Sequence, residues 1–281
     1  MKVNMKKFCI VIPIYKKELD CLEQISLNRL QTVIGEKNYD VYLVCPESLY
    51  TEEYYKYFPN LKEKRFIDGY FESTATYSQL CLSYDFYNTF SNYEYMYIYQ
   101  LDCYLFEDKL EFWCNYNWDY IGGPIFSTDC GWDTVKKHQK KYQPYVGNGG
   151  FSLRKIETFK NICDPEGELR QTYNLTDDEL AKVAWEDKYF CNDLYDYYKM
   201  NIPEFNIAIW FALDMSVDVV YNFFKWEGKP MACHSWDKNI RYWKNVIPEL
   251  IDNQEVIDYC EKKHEKFFKL YYDENDSSVR Y

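Results

Sequence analysis

The chain has 281 residues and a net charge of −12. That length supports one large α/β domain, or two small ones, with a core that needs no disulfides. The charge excludes a nucleic-acid binder, because no basic surplus exists to displace counterions from phosphates.

Eleven cysteines are scattered and odd in number, with no CxxC pair and no zinc-ligand spacing. Cys9, Cys45 and Cys81 sit in apolar runs, where cysteine acts as a small hydrophobe. Reduced thiols in a cytoplasmic protein are expected. Aromatics reach 20%, with 31 tyrosines. Tyrosine suits half-wet surfaces such as carbohydrate clefts, although an AT-rich genome inflates it too and accounts for the larger share.

In chain order, MKVNMKKFCIVIPIY has too short an apolar run for a signal peptide or a membrane span. Phe8–Ile14 reads as a strand buried on both faces of a parallel sheet. Glu18–Ile34 has a helical rhythm through Leu19, Leu22, Ile25, Leu30 and Val33, with Gly35 at the C-terminal cap position. Tyr39–Cys45 is a second strand, closed by Pro46. Strand–helix–strand implies a right-handed crossover.

Ser78–Phe90 reads as one helix with Leu80, Tyr84 and Tyr87 on one face. Tyr93–Gln100 is a strand that delivers Asp102 to its carboxyl end, where ligands gather in open α/β sheets. Short strands are expected at Trp118–Ile121, closed by Gly122-Gly123-Pro124, and at Phe151–Leu153. Thr176–Glu179 has the form of a capping box, Lys188–Tyr198 is helical, and Glu255–Tyr272 is a last amphipathic helix before a frayed tail. One domain is expected over 1–245, with halves at about 1–115 and 116–245, followed by a C-terminal helix and tail over 246–281.

Four constellations carry candidate chemistry. Gln100-Leu101-Asp102 places a carboxylate where a hard cation such as Mg²⁺ or Mn²⁺ is held; a plain cap is the bland reading. His234, in ACHSW, follows an apolar pair and is flanked by Trp236. It is expected to be enclosed, either as a core histidine or as a metal partner of Asp102, whereas His138 and His264 lie in Lys-rich, solvated surroundings. Trp185-Glu186-Asp187 puts two acids at a helix start, which the macrodipole favours in any case. A carboxylate there also serves as a general base, and Trp185 offers a platform for a sugar ring.

The last is YVGNGGFSLR, with three of the chain's ten glycines within four positions. Such a run lets another group approach the backbone, and its N–H groups and Asn148 suit a polyhydroxyl ligand. A surface salt bridge is expected for Arg154, ahead of pairing with a core acid.

The order IPIYKKE, YQLDCYLF, DYIGGP, VGNGGFSLR, WEDKYF, CHSW resembles a family of bacterial and viral glycosyltransferases of surface-glycan gene clusters, the DUF5672-like family, and more distantly the inverting GT-A enzymes. The resemblance runs from Phe8 to Trp236. It implies a GT-A fold: a Rossmann-like mixed sheet flanked by helices, with a nucleotide-binding and an acceptor-binding half. It implies nucleotide contacts at Pro13, Ile14 and Tyr15, with the Asp-X-Asp metal motif on Gln100-Leu101-Asp102, its first acid replaced by Gln100. It further implies His234 as the second metal ligand, Asp187 as base and Glu186 as acceptor contact. Gly122, Gly123, Asn148, Gly149, Gly150 and Trp185 would line the donor sugar and the acceptor.

The expected function is transfer of a sugar from a nucleoside diphosphate to a hydroxyl of a glycan or lipid-linked glycan, with inversion and a divalent cation. A retaining transferase and a catalytically idle glycan-binding module are the alternatives; a glycoside hydrolase also uses paired acids but lacks the nucleotide-type opening. The segment Lys262–Lys269 mixes basic and aromatic residues, which leaves open a peripheral contact with the inner face of the membrane.

Overall fold

The structure, a computed structural model, describes residues 5–125, 145–167, 171, 180–193, 199–215, 217 and 219–266. Its centre is a six-stranded mixed sheet. The strands are β1 (Lys6–Pro13), β2 (Asp40–Pro46), β3 (Lys62–Phe66), β4 (Tyr93–Tyr99), β6 (Tyr120–Gly122) and β9 (Phe151–Lys155), in the order β3-β2-β1-β4-β9-β6. β1 pairs parallel with β2 and with β4, and β2 pairs parallel with β3. β9 runs antiparallel between β4 and β6. The mixed α/β class expected from the sequence is thus borne out.

The apolar run of β1 is apolar because both faces are covered. Phe8, Ile10 and Ile12 join one buried cluster with Tyr97 and Leu153, while Cys9 and Val11 join a second with Met96, Ile98 and Phe159. Alternate side chains of a strand point to opposite faces, so one sequence run feeds two cores. α1 (Cys21–Ile34) starts at Asp20, whose carboxylate accepts from the Leu22 and Glu23 amides in a full capping box. Gly35 caps its end with ordinary negative φ.

The expected helix Ser78–Phe90 is two helices. α2 (Thr74–Cys81) stops at Leu82, and Ser83 caps the start of α3 (Tyr84–Asn88) through the Phe86 amide. A serine that bonds a backbone amide ahead of it starts a helix rather than continuing one, and that is the signal the apolar rhythm concealed. α4 (Ile156–Cys163) then packs against α3.

Two smaller sheets complete the wall beside the site. β5 (Tyr104–Leu105), β10 (Ala212–Leu213) and β11 (Ala232–Cys233) form one, and β7 (Pro124–Ile125) and β8 (Tyr145–Val146) the other. α5 (Phe205–Phe211) leads into β10. α6 (Gln254–Lys263) packs on the third buried cluster through Cys260, with Leu22 and Trp236.

Among the described residues some tyrosines are core residues, while others, such as Tyr15, Tyr50 and Tyr116, are exposed. Tyr97, Tyr99 and Tyr120 are buried with their hydroxyls donating to the carbonyls of Leu110 (2.7 Å), Ser26 (3.0 Å) and Asn148 (2.8 Å). Their bodies fill the interior while their hydroxyls reach carbonyls of α1 (Ser26), of the short helix Leu110–Trp113 (Leu110) and of the glycine-rich loop (Asn148). The ten cysteines within the described residues are all free, and nine are buried. The expected capping box at 176–179 and the tail beyond 266 lie outside the described residues. Among the described residues no helix is long and apolar enough to cross a membrane.

Candidate functional site

β4 ends at Tyr99, and the chain turns at once through Gln100, Leu101 and Asp102. The Gln100 amide donates to the Gly150 carbonyl (2.9 Å), which ties this turn to the start of β9. β10 and β11 run side by side, and just past their ends lie Asp214 and His234, with the His234 amide donating to the Leu213 carbonyl (2.8 Å). Three strand ends therefore bring Gln100, Asp102, Asp214 and His234 together.

His234 Nδ1 lies 2.9 Å from Asp214 Oδ1, and Nε2 lies 3.2 Å from Gln100 Oε1 and 3.1 Å from Asp102 Oδ1. We assign the Nδ1 proton to the bond with Asp214, which fixes the ring and turns Nε2 toward Asp102. Burial would lower the imidazolium pKa, but the Asp102 and Asp214 carboxylates outweigh it and lift it to about 10. Burial works against ionised Asp102 as well, yet the facing imidazolium holds that carboxyl down at about 2. Asp102 Oδ1 is sealed from solvent, and its contact is the His234 ring at 3.1 Å.

A sealed carboxylate oxygen that no hydrogen bond satisfies needs a positive charge beside it, which either the protonated His234 ring at 3.1 Å or a bound cation supplies. Asp102, Cys103 and His234 offer ligand atoms that all lie within 4.8 Å of one another. Cys103 is excluded as a ligand for a hard ion: its buried thiol donates to the Gly150 carbonyl (3.2 Å), and burial pushes its pKa up. Asp102 Oδ1, His234 Nε2 and Gln100 Oε1 remain, an oxygen-rich set suited to Mn²⁺ or Mg²⁺. At a metal–ligand distance of about 2.1 Å, cis ligands of an octahedral ion lie about 3.0 Å apart, close to the observed 3.1 Å between Oδ1 and Nε2. The residues fit a divalent cation.

Asn148 organises the glycine-rich loop. Its Oδ1 accepts from the amides of Gly150 (3.1 Å) and Phe151 (3.2 Å), and its Nδ2 donates to Asp214 Oδ2 (3.1 Å). The close approaches at the glycines are made by the protein's own groups. A Cβ on Gly150 would lie 2.0 Å from His234 Nε2, and one on Gly122 would lie 2.2 Å from the Asn148 carbonyl. No glycine in the described residues has positive φ, so close packing, not a left-handed turn, accounts for glycine here.

The adjacent acids Glu186 and Asp187 have opposite fates. Glu186 is buried, ion-paired to Arg154 Nη2 at 2.7 Å and bonded by Ser78 Oγ at 3.0 Å. Arg154, expected on the surface, is fully buried. It also donates to the Tyr87 hydroxyl (3.0 Å), and its guanidinium lies over the Tyr120 and Phe159 rings. Asp187 accepts from the Gly149 amide (2.8 Å). Burial, then the Glu186 charge, push its carboxyl well above the usual carboxylate range. Trp185 beside it is 55% exposed. Where the helix expected over 188–198 is described, it starts as one turn, Glu186–Lys188, followed by a wider turn, Tyr189–Asp193; residues 194–198 lie outside the described residues.

A cavity of about 570 Å³ opens at the carboxyl ends of β1 and β4. Pro13, Ile14, Tyr15, Gln100 and Asp102 line it, together with Lys16, Lys238, Lys263 and Tyr77. Gly122, Gly123, Asn148, Gly149, Gly150, Trp185, Glu186, Asp187 and His234 are not in its lining; His234 touches Asp102 directly, Asn148 touches His234, and Asp187 is tied to the same loop through the Gly149 amide. His264 is not solvated as expected. It lines the cavity and lies 2.6 Å from Asp237 Oδ2. Lys263 also lines the cavity and reaches Asp20 at 3.0 Å, while residues 267–269 of the segment 262–269 lie outside the described residues. Sequence reasoning missed Asp214; its signal was an acid just past the short apolar stretch Ala212-Leu213, the pattern that had marked Asp102.

Residues 60–234, more than half of the chain, match the family described as "Protein of unknown function (DUF5672)". The chain belongs to that family. No curated protein matches the sequence. Among solved structures the fold has loose likenesses. Galactosyltransferase LgtC in complex with donor and acceptor sugar analogues is 8% identical over 80% of this chain and 86% of that one, with a TM-score of 0.48. Mouse xyloside xylosyltransferase 1 is 12% identical over 81% and 97%, with a TM-score of 0.47. Core-mannan synthase A from Aspergillus fumigatus, in its Mn/GDP form, is 13% identical over 63% of this chain, with a TM-score of 0.41. The chain spans 64% of that last protein's length.

Proposed function

We propose that this DUF5672 member is a GT-A-type glycosyltransferase that moves a sugar from a nucleoside diphosphate to a glycan hydroxyl with inversion, using a divalent cation. The observation that carries the reading is Asp102 Oδ1, a buried carboxylate oxygen without a hydrogen bond, beside His234 Nε2 at the edge of a cavity of nucleotide-sugar size. Asp102, Gln100 and, once Nε2 gives up its proton, His234 would hold the cation, which would offset negative charge on a diphosphate leaving group. Lys16, Lys238 and Lys263 on the cavity wall supply further positive charge, and Pro13, Ile14 and Tyr15 receive the nucleoside.

Asp187 is the base. The Gly149 amide fixes its Oδ2, and its raised pKa suits it to take a proton from an attacking hydroxyl near neutral pH. Trp185 presents an exposed ring beside it for the acceptor sugar. Glu186 is committed to Arg154 and Ser78 and does not contact the acceptor. The acceptor is a surface glycan or its lipid-linked precursor.

Thermal-shift titration with UDP-, GDP-, CMP- and dTDP-sugars, each with and without Mn²⁺, tests the reading. One nucleotide sugar is expected to stabilise the protein only when the cation is present. A flat response to all four in both conditions would sink the transferase assignment. For the donor that binds, NMR of the product anomer separates inversion from retention.

A further inference from the structure

The buried pair Arg154–Glu186 touches neither the cavity nor Asp102, yet it is built with more care than a packing contact needs. Arg154 has no solvent exposure, and all three of its nitrogens have partners: Ser152 Oγ (3.2 Å), Tyr87 Oη (3.0 Å) and Glu186 Oε1 (2.7 Å). Glu186 Oε2 takes the Ser78 hydroxyl, whose oxygen also faces the Glu186 amide at 3.4 Å. β9 and α2 thus clamp a turn of only three residues, Glu186–Lys188, too short to hold its own geometry. Gly149 closes the clamp from the other side. A Cβ there would lie 3.0 Å from Glu186 Oε1, 3.2 Å from Arg154 Nη2 and 3.2 Å from Asp187 Cβ.

We propose that Arg154 is a positioning residue: by anchoring Glu186 it seats the turn that presents Asp187 to the Gly149 amide. This rests on the assignment of Asp187 as base. Glu186 has a second effect through its charge, which favours protonated Asp187, while Arg154 acts in the opposite sense and more weakly. The other ionisable groups near Asp187 are Tyr120 on β6 and Cys191 in the next turn. Both are buried, and burial raises their pKa values, so they stay neutral while Asp187 titrates.

Two variants separate positioning from mere stability. The double substitution Arg154→Met with Glu186→Leu replaces the ion pair by apolar side chains, a change buried pairs often tolerate. It is expected to lower kcat about tenfold to a hundredfold, the effect of a base displaced by about 1 Å, while donor KM stays within about twofold. Glu186→Gln keeps the shape and removes the charge. Carbon-13 NMR of the Asp187 carboxyl, assigned by its loss in Asp187→Asn, is expected to titrate at lower pH in Glu186→Gln than in the wild type. A double variant with kcat within twofold of the wild type, or an Asp187 titration unmoved by Glu186→Gln, overturns the proposal. If Asp187→Asn itself transfers sugar at the wild-type rate, the base assignment fails instead. The NMR titration needs no activity and still decides whether the pair governs Asp187.

Discussion

His234 stands where a Cβ on Gly150 would be: Nε2 is 2.0 Å and Cδ2 2.2 Å from that position. The glycine and the imidazole form one unit, since the ring reaches Asp102 and Gln100 only across a backbone with no side chain. Gly150→Ala therefore forces the ring away from Asp102. A stability loss of about 1–3 kcal/mol is expected from overpacking, together with loss of Mn²⁺-dependent stabilisation. Thermal melts with and without Mn²⁺ would show both, and an unchanged Mn²⁺ response would refute the coupling.

Asp102→Asn removes the charge from the buried oxygen and keeps its shape. Mn²⁺ affinity, read from the free-ion signal in electron paramagnetic resonance, is expected to fall at least tenfold. His234→Ala should do the same. Retention of wild-type affinity in both variants would remove these residues from the cation site.

Asp187→Asn should lower kcat by about 10²–10⁴, the usual contribution of a general base, with nucleotide-sugar binding intact. Transfer near the wild-type rate would reassign the base.

The raised pKa of Asp187 has two consequences with opposite signs. The base works only when deprotonated, so kcat should rise with pH through that raised value, with an acid limb displaced upward toward neutrality. For stability, the folded state disfavours the ionised form, so Asp187 costs stability above its folded pKa and costs none below its unfolded value near 3.8. Asp187→Asn should accordingly melt higher than the wild type in mild alkali, and the gap should close as pH falls toward 4. Parallel melting curves across that range would contradict the shift.

Arg154→Ala leaves Glu186 buried without its cation, and a loss of about 3–5 kcal/mol is expected for a broken buried pair. Urea denaturation measures it. A loss under about 1 kcal/mol, the range of exposed pairs, would show that the pair is solvated after all.

Much of the site's frame is legible along the chain. Phe8–Ile14, Tyr39–Cys45 and Tyr93–Gln100 announce their strands because burial on both faces favours a largely apolar run, interrupted only by Asp40 in the second and Glu94 in the third. The place of Asp102 follows, since a strand end is where such a run stops. WEDKYF and VGNGGFSLR likewise stand out by residue type alone. What pairs with what is another matter. Arg154 meets Glu186 32 positions away and Gln100 meets His234 134 positions away, and both contacts depend on strand register and on which side of a turn a side chain leaves. Nothing in the order Glu186-Asp187 says that the first acid turns inward to an arginine and the second to a glycine amide. The glycines teach the same lesson: composition shows that something approaches the backbone closely, but only the packed molecule reveals that it is His234.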